Sequence, residues 1–327
     1  MAKLFSSEDR QKLMGKQMVG ALRAGEPVDA VFLVAECSLR STRAGGSYLN
    51  LTLQDRSGQI VGRLWDATEA FAATIAVDSF IHVKGKVESY QNQLQVNARS
   101  ITRAETEGLH LGDFLPQSTR DPAEMMRELA AILAQIQDAD YKAVVDAFLS
   151  DKDFCAAFRT APAAVQNHHA YLGGLLEHTL SMAEMAVKVL EHYPTLRRDL
   201  LLASVFLHDI GKTRELSCKR TFRYTDAGNL VGHITIGVLM LEDRVRALPN
   251  LPEEKLNLLR HLILSHHGEL EFGSPKLPMV AEAVALHYLD NLDAKLKDIS
   301  ETIAEDKNAD AGWTDYSQSL KRRLYKG

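Results

Sequence analysis

The spacing of apolar residues changes once along this chain, and that change constrains the fold more than any other feature. In YLNLTLQD (48–55), Leu49, Leu51 and Leu53 alternate with Asn50 and Thr52. Period two is the mark of a half-buried strand. Similar stretches are VFLVAECSLRST (31–42), QIVGRLWD (59–66), FIHVKGKVESY (80–90) and LQVNARSITRA (94–104), separated by RAGGS, RSG and QNQ turns. TEAFAATIAV (68–77) reads as a short helix capped by Thr68 or Asp66. From about residue 120 apolar residues recur at helical spacing. DPAEMMRELAAILAQI opens this half with Asp121 as N-cap and Pro122 at the first helical position. Further helices are expected at 140–149, 174–191, 199–208, 232–247, 252–267 and 279–298. The polar interruption at 214–231 reads as a short hairpin or a loop over a site.

Two periods imply two domains, which the length of 327 residues also suggests. The order β-β-β-α-β-β in under a hundred residues suits a small all-β barrel of the OB type. An all-α domain follows. The expected bounds are 1–106 for the barrel with a short N-terminal extension, 107–120 for a linker, 121–312 for the helical domain and 313–327 for a basic tail. A hydrophobic share of 46% gives enough apolar surface to exclude disorder over the bulk of the chain. The net charge of −5 excludes a whole-chain basic field, so any nucleic-acid contact must be local. Cys37, Cys155 and Cys218 form no C-x-x-C pair, which argues against a disulfide framework and for a reducing compartment. MAKLFSSEDR lacks an apolar targeting core, and LLLASVFL (200–207) falls short of the ~18 residues of a membrane span. The expected setting is the cytoplasm, with no membrane partner.

Ten of the twelve histidines lie beyond residue 167. HDIGK (208–212) ends an apolar run, so His208 and Asp209 project together, and Gly211 closes the helix. Neutral imidazole suits transition metals, and a carboxylate can bridge two ions. Lys212 is placed to hold a phosphate oxygen. His178 lies in LLEHT, His233 starts another helix, His266 and His267 end an apolar one, and Asp290 and Asp293 share a helical face in HYLDNLDAK. Two histidines ending an apolar helix are costly to bury unless something binds them. Each alone reads equally as an ordinary core or surface group; five helices each delivering such a residue do not. His168 and His169 stand open between substrate contact, including protonation of a leaving oxygen, and plain helix-start polarity. Asp293 stands open between orienting a ligand and surface exposure.

On these residues the chain resembles the HD superfamily of metal-dependent phosphohydrolases. The resemblance rests on His178, His208–Asp209, His233, His266–His267 and Asp290. It implies one ion held by His178, His208, Asp209 and Asp290, and a second held by Asp209, His233, His266 and His267. The GYP signature of the cyclic-dinucleotide members is missing, since TRELS follows HDIGK. A barrel ahead of such a domain is similar to the YhaM-type family of 3′→5′ exoribonucleases. Matching stretches include HHAYLGGLLEHTLSM, LHDIGKTREL, YTDAGNLVGHI, ILSHHG and ALHYLDNLDAK. The resemblance implies hydrolysis of single-stranded RNA from its 3′ end to nucleoside 5′-monophosphates, with Asp209, Lys212 and His169 at the chemistry. Mn²⁺ ranks first for a pair of ions, and Fe²⁺, Co²⁺ and Ni²⁺ also accept such donors.

The barrel would grip the strand. With the leucines inward, Tyr48 faces out, and Arg63 and Trp65 lie on one face of the third strand, extended by Lys84, Lys86 and Tyr90. The other placement for Trp65 is burial against the 68–77 helix. KRRLYKG (321–327) is a solvated end, a phosphate contact or an oligomer contact. Single-stranded DNA and a homo-oligomer stand open as partners. Two other functions compete: hydrolysis of small nucleotides with the barrel as an oligomer or protein contact, and nucleic-acid binding without catalysis.

Overall fold

The computed structural model describes residues 17–42, 45–91, 93–165, 169–218, 221–248, 250–304, 306 and 311–327. They form two compact units, one up to Pro116 and one from Gln117.

The first unit is a five-stranded barrel. Its elements are β1 (Pro27–Ser41), β2 (Ser47–Asp55), β3 (Gly58–Trp65), α1 (Glu69–Ala72), β4 (Phe80–Tyr90) and β5 (Gln93–Arg103). The order β1-β2-β3-β5-β4 closes where β4 pairs with β1, and β3–β5 is the parallel pair. Closing so few strands requires sharp bends, and register shifts at Val34/Glu36 and Lys84/Gly85 supply them. The alternation read in β2 holds, with Leu49, Leu51 and Leu53 fully buried beside Val34, Val83, Val87 and Val96. Gly62 leaves room for that core, because a Cβ there would lie 2.8 Å from Leu53. The strand order agrees with the sequence reading, although β1 starts at Pro27, not 31, through pairing with Lys86. Thr68 caps α1, which ends after four residues, short of the expected 68–77. Phe114 buries itself edge-on against Phe80, with ring centroids 4.7 Å apart.

The second unit is helical: α2 (Pro122–Leu133), α3 (Ala139–Leu149), α4 (Lys152–Thr160), α5 (Gly174–His192), α6 (Arg198–Leu207), α7 (Lys212–Glu215), α8 (Asp226–Val231), α9 (His233–Val245), α10 (Glu253–Ser265) and α11 (Ala281–Ala304). Asp121, Asp138 and Asp151 cap α2, α3 and α4 by accepting backbone N–H bonds. In α6, Leu200 through Leu207 are all buried, so this helix is the axis of the unit. Phe206 meets Phe148, Phe154 and Phe158 at centroid distances of 6.2, 6.2 and 5.6 Å. The polar interruption holds a two-stranded hairpin, β6 (Leu216–Ser217) with β7 (Arg223–Tyr224), followed by α8. Near the C-terminus, Trp313 and Tyr325 pair across a bridge, and Leu320 and Leu324 are buried. Among the described residues, no helix is long and apolar enough to cross a membrane.

Candidate metal centre and nucleic-acid face

Five helices bring their donors to one place. The α6 axis ends in buried His208 and Asp209. The turn that follows presses against the start of α9, where a Cβ on Gly211 would lie 2.0 Å from the His233 carbonyl oxygen. Glycine is therefore required in HDIGK for backbone approach. α5 contributes His178, α9 begins with His233, α10 runs out into His266 and His267, and α11 contributes Asp290 and Asp293. Gly268 turns the chain at φ +80°, and a side chain there would strike the His287 ring.

Asp209 sits between two groups of donors. On one side are His178, His208 and Asp290, on the other His233, His266 and His267, and within each group the ligating atoms lie within 4.8 Å of one another. Oδ2 of Asp209 is 3.3 Å from His208 Nε2 and 3.9 Å from His178 Nε2. Oδ1 is 3.5 Å from His233 Nε2 and 3.6 Å from His266 Nε2. His178 Nε2 also lies 3.3 Å from Asp290 Oδ1 and 3.3 Å from His208 Nε2.

Every imidazole in the two groups is held from behind. Nδ1 of His208 meets the Val205 carbonyl at 2.8 Å, that of His266 the Ile263 carbonyl at 2.8 Å, and that of His267 the Phe272 carbonyl at 2.8 Å. Nδ1 of His178 meets Asp293 at 2.7 Å, and that of His233 meets Glu215 at 3.0 Å. A carbonyl or carboxylate oxygen only accepts, so in each neutral ring Nδ1 carries the proton and Nε2 keeps a lone pair. The buried Nε2 atoms of His233 and His266 and Oδ1 of Asp209 have no hydrogen-bond partner, while Asp209 Oδ2 has the Lys212 ammonium beside it. Acceptors of this kind, buried and facing one another, are costly unless cations join them. The donor set therefore fits divalent ions.

Charge tells the same story. Burial and the nearby His267 keep His266 well below the ordinary histidine range, so it is neutral. Burial opposes charge on His178, yet Asp290, Asp293 and Asp209 outweigh it and lift the group to about 9. These carboxylates demand a positive charge at Nε2, whether a proton or a metal ion. Burial likewise opposes charge on Asp209, but Lys212 and His208 hold its carboxyl well below the usual range.

Lys212, expected to hold a phosphate oxygen, stands at the same centre, with its Nζ 2.6 Å from Asp209 Oδ2. His169 was read as a candidate for the leaving oxygen. It is buried behind His178, with Nε2 2.9 Å from Asp293 and Nδ1 2.9 Å from the Tyr171 hydroxyl. Both ring nitrogens are thus occupied, which fits a support role and not proton delivery. His168 lies outside the described residues. Of the two readings of Asp293, the orienting one agrees with its contacts to His178, His169 and Ser181. Glu215 was missed. It stands in the polar stretch after HDIGK, and its partner His233 is eighteen residues away.

On the barrel, Tyr48 lies opposite Trp65 with ring centroids 4.9 Å apart. Trp65 is 44% exposed, so the reading that buried it against α1 fails. The Arg63 guanidinium lies 5.8 Å from the Tyr48 ring and 5.4 Å from the Tyr90 ring. Lys86 continues the row, since Arg63 is in register with Asn97 and Asn97 with Lys86. Lys84 departs from it: it pairs with Ser100 beyond the bulge and lies 3.4 Å from Asp29.

Comparison with known proteins agrees with both units. A model of the HD domain matches residues 175–295, one of the OB-fold nucleic acid binding domain matches 31–104, and one described as a putative helicase matches 117–195. The 3'-5' exoribonuclease YhaM of Bacillus velezensis is 40% identical over 83% of this chain and 86% of its own length. The protein of the same name from Geobacillus sp. is 35% identical over 92% of each chain. Among solved structures, the second OB-fold domain of replication protein A from Methanococcus maripaludis is 21% identical, covering 29% of this chain and 99% of that one, with a TM-score of 0.24. With this identity sustained across both units, the chain belongs to the YhaM family of 3'-5' exoribonucleases.

Proposed function

We propose that this protein is a metal-dependent exoribonuclease that removes nucleoside 5′-monophosphates one at a time from the 3′ end of single-stranded RNA. The observation that carries the reading is the convergence of outward-facing Nε2 atoms on both oxygens of Asp209. In this reading His178, His208, Asp209 and Asp290 hold one divalent ion, and Asp209, His233, His266 and His267 hold another. Mn²⁺ is the ion proposed first; the nitrogen and carboxylate donors would equally accept Fe²⁺, Co²⁺ or Ni²⁺, and availability decides among them. Bound ions of this kind acidify water and neutralise phosphate charge.

The chain's own groups do the rest. The five Nδ1 contacts fix each ring in one tautomer before substrate arrives. Lys212, held charged by Asp209 and Asp290 against the cost of burial, adds a cation beside the scissile phosphate. Asp293 orients His178, and His169, itself held by the Tyr171 hydroxyl, braces Asp293. On the barrel, Tyr48, Trp65 and Arg63 offer flat faces to successive bases, and Lys86 offers a charge to the backbone. The direction of degradation follows the named activity of the relatives. The division into barrel (1–106), linker (107–120), catalytic domain (121–312) and tail (313–327) belongs to this reading. The unpaired cysteines support a cytoplasmic setting.

The test is a gel of 5′-labelled single-stranded RNA incubated with Mn²⁺. We expect a ladder that shortens by one nucleotide at a time and stops on chelation. Asp209→Ala should abolish shortening while RNA still binds. Cleavage by Asp209→Ala at the wild-type rate, or activity confined to mononucleotides, would contradict the proposal.

A further inference from the structure

The five imidazoles are not supported alike. His208 and His266 lean on carbonyls of their own helices, and His267 on the Phe272 carbonyl. His178 and His233 alone among these five lean on carboxylates, Asp293 and Glu215, and they fall one in each donor group. A carboxylate behind an imidazole stabilises the Nδ1 proton and makes Nε2 a stronger donor, which a neutral carbonyl does less well.

Glu215 does more than support the ring. The same oxygen that receives Nδ1 of His233 at 3.0 Å also receives the His233 backbone N–H at 2.9 Å. It therefore fixes the first residue of α9 and its side chain together. The carboxylate is buried, and its own backbone is clamped. Glu215 N–H donates to the Gly211 carbonyl at 2.9 Å, and Thr225 N–H donates to the Glu215 carbonyl at 2.9 Å. A Cβ on Gly228 would lie 2.3 Å from that carbonyl oxygen, so α8 rests directly on it. The hairpin and α8 thus form a clip around one glutamate.

We infer that Glu215 is a positioning residue that sets ion affinity at the His233, His266 and His267 group, and that the β6–β7–α8 excursion serves to hold it there. The inference rests on the two-ion reading above. It assigns a function to a stretch that the proposed chemistry otherwise leaves unused, and it makes the two ion sites separable by mutation.

The experiment is equilibrium titration of the full-length protein with Mn²⁺ alone. Wild type should bind two ions. Glu215→Gln keeps an oxygen acceptor and removes the charge; it should weaken one of the two by roughly 10- to 100-fold and leave the other as in wild type. In a His266→Ala background, where that group is already broken, adding Glu215→Gln should not change the affinity of the remaining ion. Glu215→Asp, which keeps the charge on a shorter arm, should weaken the same ion by less, and it carries the test if Glu215→Gln melts below the assay temperature. Two affinities equal to wild type in both variants would overturn the inference, as would equal weakening of both ions. Fewer than two ions in wild type would instead remove the two-ion reading, and the inference with it.

Discussion

Asp209 has two carboxylate oxygens, and each faces its own set of imidazoles. No neutral side chain of that size offers two such faces, so the residue is irreplaceable in a way that single histidines are not. Trp65 poses the opposite question: why a large ring is left half in water. On the barrel it lies against Tyr48, and Arg63 is held near the Tyr48 and Tyr90 rings, so that surface suits stacked bases. A stacked base is worth about 1–3 kcal/mol, so Trp65→Ala should raise the Kd for single-stranded RNA by roughly 5- to 150-fold. Hydrolysis of bis-p-nitrophenyl phosphate, which has no base to stack, should stay unchanged. A variant that binds RNA as tightly as wild type would rule out the stacking role. The ligand-type residues were legible in the sequence because HDIGK and SHHG are local patterns. Glu215 was not, because its importance comes from a partner that only the folded chain brings close. For the same reason His169 could be noticed but not placed: its sequence neighbours say nothing of Asp293, 124 residues on.

At the level of elements, α6 ties stability to the site. It is apolar all round, and Phe206 stands two residues before His208 in a cluster with Phe148, Phe154 and Phe158. Phe206→Ala should cost about 3–5 kcal/mol in denaturant unfolding through lost contacts and the cavity left behind. A cost under ~1 kcal/mol would mean that the cluster collapses to fill the space. Long amphipathic elements were readable: α5, α6, α9 and α10 appear near their expected bounds, and α11 starts near its own but runs on to Ala304, past the expected 298. α4 was not, although Phe154 and Phe158 stand at i and i+4, because nine residues offer only one repeat of the pattern. α7 and α8, with four and six residues, are too short to show any period. The early start of β1 at Pro27 was hidden because Asp29 interrupts the apolar run and long-range pairing with β4 decides the end.

For the molecule as a whole, a net charge of −5 sits oddly with an RNA substrate. The barrel face reconciles them: it offers rings with few cations, Arg63 and Lys86, so binding should depend little on released counterions. For single strands the slope of log K against log salt is about −0.7 per neutralised phosphate. Two contacts give a slope of roughly −1.4, about a 7-fold loss of affinity between 50 and 200 mM salt. A slope steeper than about −4 would show that a large basic surface carries the binding and that the stacking face is secondary. The function turns on the pair of donor groups joined by Asp209. Anomalous scattering from crystals of the full chain grown with Mn²⁺ tests this arrangement. Two peaks are expected, one within the His178, His208 and Asp290 group and one within the His233, His266 and His267 group, both in contact with Asp209. A single peak, or peaks that leave Asp209 without a metal contact, would contradict it.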